Sequence, residues 1–581
     1  MTSFLKKAML LMAIVYAQFA AAQTHADGLA AMQLENWDKA ISIYTALTKA
    51  NPADQTAFLT MGSAHLAKGE KDKAKAAFDA AFNAKPDGPL AFVVNGRITM
   101  LKNDIVETDV QFKKAAKAGK KDANVLRQIG ESFLYTPTGV KPNFVRAEEF
   151  LKMSYEANSK DYTTLMTLGY MYKEKPDGGL AAQQYELAEA LEPKNPLPKF
   201  MLAKIYKAAK LNDKYLDYLD RTIAISPRYT LALRAKAEAF YYGRKYDKAT
   251  VAYKALVANG DEVTVEDEMQ LANSLFITKD YPASITLVEK IIQKDGSKNY
   301  LRRLLGYSYY ETGDYPKGMG IMTDYFAKVT PDKILATDYQ YLARLLVKSK
   351  GDTLTAVENF KKAIAMDSST WSLYKEIGEL YYSKRDNCNA AMSYQMYLDS
   401  VPKPEATDLY KLGLAQYYCK DDTLRYQKAE TIFLRITQLV PTAGIGWLWS
   451  AKAATKLEPD VQAHPEMAAQ FGRARPYFEK YVGIASVDKE KNKKDLIIAL
   501  EYLTYYFFLQ GDVEGTRTNA TKLLELDPTN QTGLELMEAV KSGTMVPITP
   551  GTPGAPGTPT PPVTPTPPVT PTPPNSGGGK G

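Results

Sequence analysis

Large apolar, small and polar residues follow one another along this chain in a helical rhythm, and the rhythm itself repeats. The clearest block opens at Gln55. Counted from there, Phe58, Met61, His65 and Phe78 fall at positions 4, 7, 11 and 24, Gly62, Ala74 and Ala81 at 8, 20 and 27, and Pro86 at 32. Spacings of three and four place Phe58, Met61 and His65 on one face of a helix. The block therefore predicts two antiparallel helices knit by the large side chains, with small residues where the backbones come closest. Proline ends the second helix and sets the turn into the next block.

The block returns every 34 residues. Pro52 and Pro86 keep that interval, as do Pro193 and Pro227, and so does the series Gly28, Gly62, Gly96 and Gly130. Leu168-Gly169 with Tyr172, Ala181, Tyr185, Ala188 and Pro193 makes a fifth unit. Leu305-Gly306-Tyr309 makes a ninth, Ile377-Gly378-Tyr381 with Ala390, Tyr394 and Pro402 an eleventh, and Leu412-Gly413 a twelfth. Polar turns such as Glu35-Asn36-Trp37-Asp38 separate the helices, and Pro282 and Pro316 fall at position 18, where a first helical turn tolerates proline. The third, eighth and tenth units are degenerate, and insertions lengthen the array at 136–143, 421–425 and 457–472.

This pattern resembles the tetratricopeptide-repeat family from Gln23 to about Pro528. The resemblance implies an all-α fold, a right-handed superhelical solenoid of about 14 helix-turn-helix repeats. The solenoid is expected over residues 23–543, closed by a capping helix at 529–542. It also implies a non-enzymatic scaffold that binds protein partners.

Composition narrows the classes. At 581 residues the chain exceeds one compact core, and 45% hydrophobic content excludes wholesale disorder. The formal charge is only +7, with no dense basic stripe, which argues against nucleic acid. The three histidines, His25, His65 and His464, are not paired at ligand spacing, and no phosphate-binding loop is present. No catalytic residue, metal site or cofactor is expected.

Both ends differ from the array. Lys6 and Lys7, the apolar run Ala8 to Ala17 and the small residues Ala20-Ala21-Ala22 compose a signal peptide at 1–22, too short to span a bilayer comfortably. Residue 23 is Gln, not Cys, so no lipid anchor is indicated. No later stretch has transmembrane length, and export to the periplasm, the cell surface or the medium is expected. In the segment 544–581, proline recurs every third residue from Pro547 to Pro574. Polyproline II has three residues per turn, so these prolines share one edge. Spacer and PxxP ligand both remain open for this tail.

In the resembled family the concave surface is lined by positions 2, 5, 9 and 12 of each first helix. Carried onto this chain, those positions are Tyr170, Phe200, Lys204, Lys207, Arg234, Tyr241, Phe276, Tyr300, Arg303, Tyr307, Tyr310, Arg344, Lys375, Tyr382, Tyr410 and Tyr417. Cations interleaved with tyrosines imply an extended or acidic partner segment, held by stacking, hydroxyl hydrogen bonds and charge. The second reading is a cell-wall glycan stacked on the same rings. The family's Lys-Asn clamp for a C-terminal carboxylate is not reproduced, since Asn273 has Met269 one turn earlier. Cys388 and Cys419 flank the turns of adjacent units, either as a disulfide or as two semi-buried thiols.

Overall fold

The computed structural model describes residues 24–544 apart from 138, 299 and 462. The expected leader at 1–22 and the tail from 545 lie outside the described residues. The described residues are α-helical with a few short 3-10 turns, contain no strand, and divide into two compact units, one up to Asp314 and one from Tyr315.

Unit 1 is a stack of two-helix hairpins. They are His25–Gln33 with Trp37–Ala50, Gln55–Ala67 with Lys71–Ala84, Pro89–Leu101 with Ile105–Ala118, and Ala123–Leu134 with Phe144–Ala157. Tyr162–Glu174 with Gly178–Leu191, Pro196–Ala208 with Asn212–Ile225, Thr230–Tyr242 with Tyr246–Asn259, and Val265–Ile277 with Tyr281–Lys294 continue it, and Leu301–Glu311 follows. Unit 2 repeats the scheme with Ala336–Lys348 and Thr353–Met366, Leu373–Ser383 and Asn387–Asp399, Ala406–Tyr418 and Arg425–Leu439, Gly444–Ala454 and Arg475–Ala485, and Lys489–Leu509 and Val513–Leu526. Tyr315–Lys328 precedes these pairs, and Gln531–Ser542 packs on the last of them. The degenerate third, eighth and tenth units fold as hairpins like the rest.

Local chemistry explains where the helices start. Asn36, Asp54, Asp104, Asp122, Asn143, Asp161 and Asp177 each accept a first-turn amide through the side chain. Each such cap stabilises its helix by about 1 kcal/mol. Between the two helices the chain turns through one left-handed residue. Gly69 and Gly313 supply it without a Cβ penalty, while Glu35, Asn103, Lys210 and Arg244 adopt positive φ at the equivalent place.

The hairpins are locked by a ring laid on a glycine. Tyr44 covers Gly28, Phe78 covers Gly62, Phe112 covers Gly96, Tyr185 covers Gly169, Tyr394 covers Gly378 and Phe433 covers Gly413. A Cβ on any of these glycines would stand 2.2–2.7 Å from a ring atom. The contact recurs in these six hairpins, while Ala203, Ala237, Ala272 and Ala343 stand at the same position in others. The fourth unit departs from it, because the 136–143 insertion displaces the second helix and Leu151 takes the place of the ring over Gly130.

The longest insertion, 457–472, is pinned near both ends. One Glu458 carboxylate oxygen accepts from the Gly472 amide (3.2 Å), the Ala474 amide (2.8 Å) and the Tyr502 hydroxyl (2.6 Å). Phe471 then packs on Tyr502 and Tyr505, with ring centroids 5.2 and 5.8 Å away.

Candidate functional site

Inside unit 1 the first helices of successive hairpins meet one another. The Arg97 guanidinium is buried on Pro89–Leu101 and places every donor. Its Nε donates to Ser132 (2.8 Å), Nη1 to the Leu59 carbonyl (2.9 Å) and Ser63 (2.7 Å), and Nη2 to the Gln128 carbonyl and side chain (both 2.8 Å). One side chain thereby ties three consecutive hairpins. Beside it Arg127 pairs with Glu131, both buried, and Asn124 donates to Thr56 at 3.0 Å across 68 residues. Positions 5 and 9 of the third and fourth units thus carry a buried polar core. The position rule that selected residues from Tyr170 onward also selects Arg97, Arg127 and Glu131, so the signal for them was already in the sequence.

The first hairpin packs far down the same unit. Gln33 donates to the Met166 carbonyl (3.0 Å) and accepts from the Tyr185 hydroxyl (3.2 Å). Lys173 pairs with Glu35 (2.5 Å) and Lys39 with Glu262 (2.7 Å), and Leu34 packs near Phe200. Two expected groove residues are buried in this arrangement. Tyr170 is buried, stacked on Tyr135 at 5.8 Å with the Lys173 ammonium 4.7 Å over its face, and Phe200 is buried with its ring 5.4 Å from Tyr229.

Between the first hairpin and the helices Pro196–Ala208 and Thr230–Tyr242 a cleft of about 880 Å³ remains. Phe200, Tyr229, Leu231 and Leu34 give it an apolar floor, and Lys204 and Lys207 project along it. The other cations at its rim are neutralised, Lys39 by Glu262 and Arg228 by Asp261 at 2.6 Å. Lys204 makes no hydrogen bond or ion pair among the described residues. Burial, with the Lys173 charge nearby, holds its ammonium below the ordinary lysine value. An anionic group entering the cleft would relieve both effects.

The remaining candidates form a ladder. Arg234 forks onto Asp267 (both bonds 2.7 Å), Arg344 onto Glu376 (2.6 and 3.1 Å), and Lys375 meets Asp408 at 2.6 Å. In each rung a cation on one first helix meets a carboxylate on the next, 32–33 residues on. The bonds to Asp267 raise Arg234, and those to Asp408 raise Lys375. These cations hold the stack together and do not offer bare positive charge.

Among the aromatics, Tyr307 is buried, and Phe276 sits edge-on to Tyr281 at 5.4 Å. Tyr241 packs among Tyr242, Tyr246 and Tyr253, and Arg303 and Tyr310 are half-buried. Tyr300 is 41% exposed and donates to the Met269 sulfur. In unit 2, Tyr410 and Tyr417 join Trp449 in an aromatic cluster, and Tyr382 is exposed on the preceding first helix. Cys388 and Cys419 are joined as a disulfide with Cα atoms 4.6 Å apart.

Each histidine faces a single carboxylate, His25 with Asp54, His65 with Glu70 and His464 with Glu466. Among the described residues no group of three or more His, Cys, Asp or Glu is placed to hold a metal ion. No described helix is long and apolar enough to cross a membrane.

Residues 25–89, the first two hairpins and the turn into the third, match the tetratricopeptide repeat family model. The chain is 22% identical over 295 residues to the BBSome complex member BBS4 of Bos taurus, matching 49% of this chain and about half the length of that protein. Among solved structures it is similar to the C-terminal part of a TPR repeat-containing protein from Cytophaga hutchinsonii. That match has 28% identity, 46% of this chain, 98% of the other and a TM-score of 0.35. A tetratricopeptide repeat protein from Parabacteroides merdae matches at 20% identity, 41% of this chain, 91% of the other and a TM-score of 0.24.

Proposed function

We propose that the chain is a non-enzymatic scaffold of the bacterial cell envelope that grips an extended, acidic segment of a protein partner in the cleft of unit 1. The observation that carries the reading is Lys204. It is a half-buried cation that makes no ion pair among the described residues, with Lys207 one turn along and the apolar floor of Phe200 and Leu231 beneath. Stacked helical hairpins suit such a task because they present an extended surface on a rigid frame. A carboxylate set between Lys204 and Lys207, with an apolar neighbour on Phe200, would satisfy the charge and cover the floor.

Export fits the rest of the molecule. The tripartite pattern at 1–22 would deliver the chain outside the cytoplasm, where the Cys388–Cys419 bridge persists. Affinity capture from the native envelope, followed by titration of the captured partner, tests the reading. Lys204→Glu together with Lys207→Glu should weaken binding at least tenfold, more strongly at low salt. Undiminished affinity would remove the cleft from consideration, and capture of cell-wall glycan in place of protein would favour the tyrosine-stacking alternative.

A further inference from the structure

Unit 2 carries a second surface of different character. Tyr417 meets Tyr418 at 5.0 Å, Tyr426 at 5.1 Å and Trp449 at 5.4 Å, and Tyr410 reaches Trp449 at 6.3 Å. The cluster crosses from the helix Ala406–Tyr418 to Gly444–Ala454. Tyr382 lies on the preceding first helix, Leu373–Ser383, at the position that Tyr417 takes one hairpin on, and burial followed by the Tyr418 phenol pushes its own phenol up. Tyr382 is 37% exposed and Tyr418 47%. The hydroxyls of Tyr382, Tyr417 and Tyr418 make no hydrogen bond among the described residues.

The lysines around this face are paired. Lys375 is paired with Asp408, Lys411 with Glu379 at 2.5 Å, and Lys452 with Asp495 at 2.8 Å. What remains is an aromatic, donor-rich surface with one cation on it: the Arg425 guanidinium lies 4.6 Å over the Tyr426 ring and donates to its hydroxyl at 3.1 Å. Such a surface fits an uncharged segment with apolar rings and unpaired carbonyls. Polyproline II has both, because its backbone makes no internal hydrogen bonds and prolines pack on aromatic grooves.

One such segment belongs to the chain itself. Residues 547–574 contain no charged residue and carry proline at every third position. The tail leaves the helix Gln531–Ser542, which packs on Lys489–Leu509 in the same unit. First helices of neighbouring hairpins lie about 10 Å apart, so the aromatic cluster is roughly 20–40 Å away. At about 3.1 Å per residue, the proline-rich stretch reaches roughly 85 Å. We infer that the Pro-Thr segment 547–574 docks in cis on the aromatic face formed by Tyr382, Tyr410, Tyr417, Tyr418 and Trp449. This inference is independent of the unit 1 cleft. The tail occupies unit 2 and leaves Lys204 free, so either reading can fail without the other.

The test uses the full chain with p-benzoylphenylalanine in place of Tyr418, which keeps an aromatic ring at the position. Irradiation followed by peptide mapping should find the cross-link within residues 547–574, in the monomer band, with a yield unchanged by 20-fold dilution. The same probe in place of Tyr242, which is 74% exposed in unit 1, should leave the tail unlabelled. Alanine at Tyr382 should cut the yield at least fivefold while far-UV circular dichroism stays that of the parent. A synthetic 547–574 peptide in excess should lower it in the same way. Cross-links that map elsewhere, equal labelling from position 242, or a cross-linked dimer in place of the monomer would overturn the assignment.

Discussion

Gly169→Ala is a one-carbon test of how the hairpins close. The new Cβ would stand 2.6 Å from Cε1 of Tyr185 and 2.8 Å from Cδ1 and Cζ. An ordinary carbon contact is about 3.5 Å, so the ring must retreat by about 0.9 Å. Tyr185 is 0% exposed and its hydroxyl donates to Gln33 on the first hairpin, so the ring has nowhere to go without losing that bond. Overpacking costs about 1–3 kcal/mol and a lost buried hydrogen bond about 1 kcal/mol. Alanine offsets about 1 kcal/mol through helix propensity, which leaves a net loss of about 1–3 kcal/mol. Gly320→Ala is the control, since that glycine lies within Tyr315–Lys328 with nothing within 4 Å of an added Cβ, and it should stabilise by about 0.5–1 kcal/mol. Denaturant unfolding, with hydrogen exchange to locate the weakened helices, reads both variants. The weakening should centre on Tyr162–Glu174, Gly178–Leu191 and the first hairpin. A Gly169→Ala variant as stable as the parent would refute the ring-on-glycine lock.

Three further outcomes follow from other contacts. Arg97→Lys cannot replace a planar fork that bonds three hairpins, and should destabilise unit 1 by about 3 kcal/mol or more in chemical denaturation. Lys204→Met removes a half-buried, partnerless cation, so it should raise the unfolding midpoint of the free protein while weakening the partner. Because the folded-state value of Lys204 is depressed, the parent should gain stability as pH rises from that value toward the ordinary lysine value of 10.5, and the Met variant should lose this gain. Intact mass of the native protein should show Cys388 and Cys419 oxidised, and Cys388→Ser should cost about 2–4 kcal/mol in hairpins flanking the 31-residue separation.

The sequence is legible where structure depends on neighbours. Gly169 and Tyr185 lie 16 residues apart, and Gly28 with Tyr44, Gly62 with Phe78, Gly96 with Phe112 and Gly378 with Tyr394 keep that interval and the same contact, so periodicity alone exposes the register there. The face of each first helix is equally legible, and Phe200, Lys204 and Lys207 do share one cleft. How tightly successive hairpins wind is not written in the period. Whether Asn124 meets Thr56, or Gln33 meets Met166, depends on small rotations accumulated over several units. That winding buries Tyr170 and Phe200 against the first hairpin and turns a row of inner arginines into struts. The cations were visible at positions 5 and 9, but their carboxylates, such as Asp267 and Asp408, had to be sought one unit further on.

The cleft bounded by the first hairpin, Pro196–Ala208 and Thr230–Tyr242 is the proposed seat of the partner. Hydrogen–deuterium exchange of the full chain, alone and saturated with the captured partner, tests it most directly. New protection should concentrate in Pro196–Ala208, Thr230–Tyr242 and the first hairpin, and Lys204→Glu with Lys207→Glu should abolish it. Protection confined to outward second helices, such as Ile105–Ala118 with its exposed Ile105 and Val106, would contradict it.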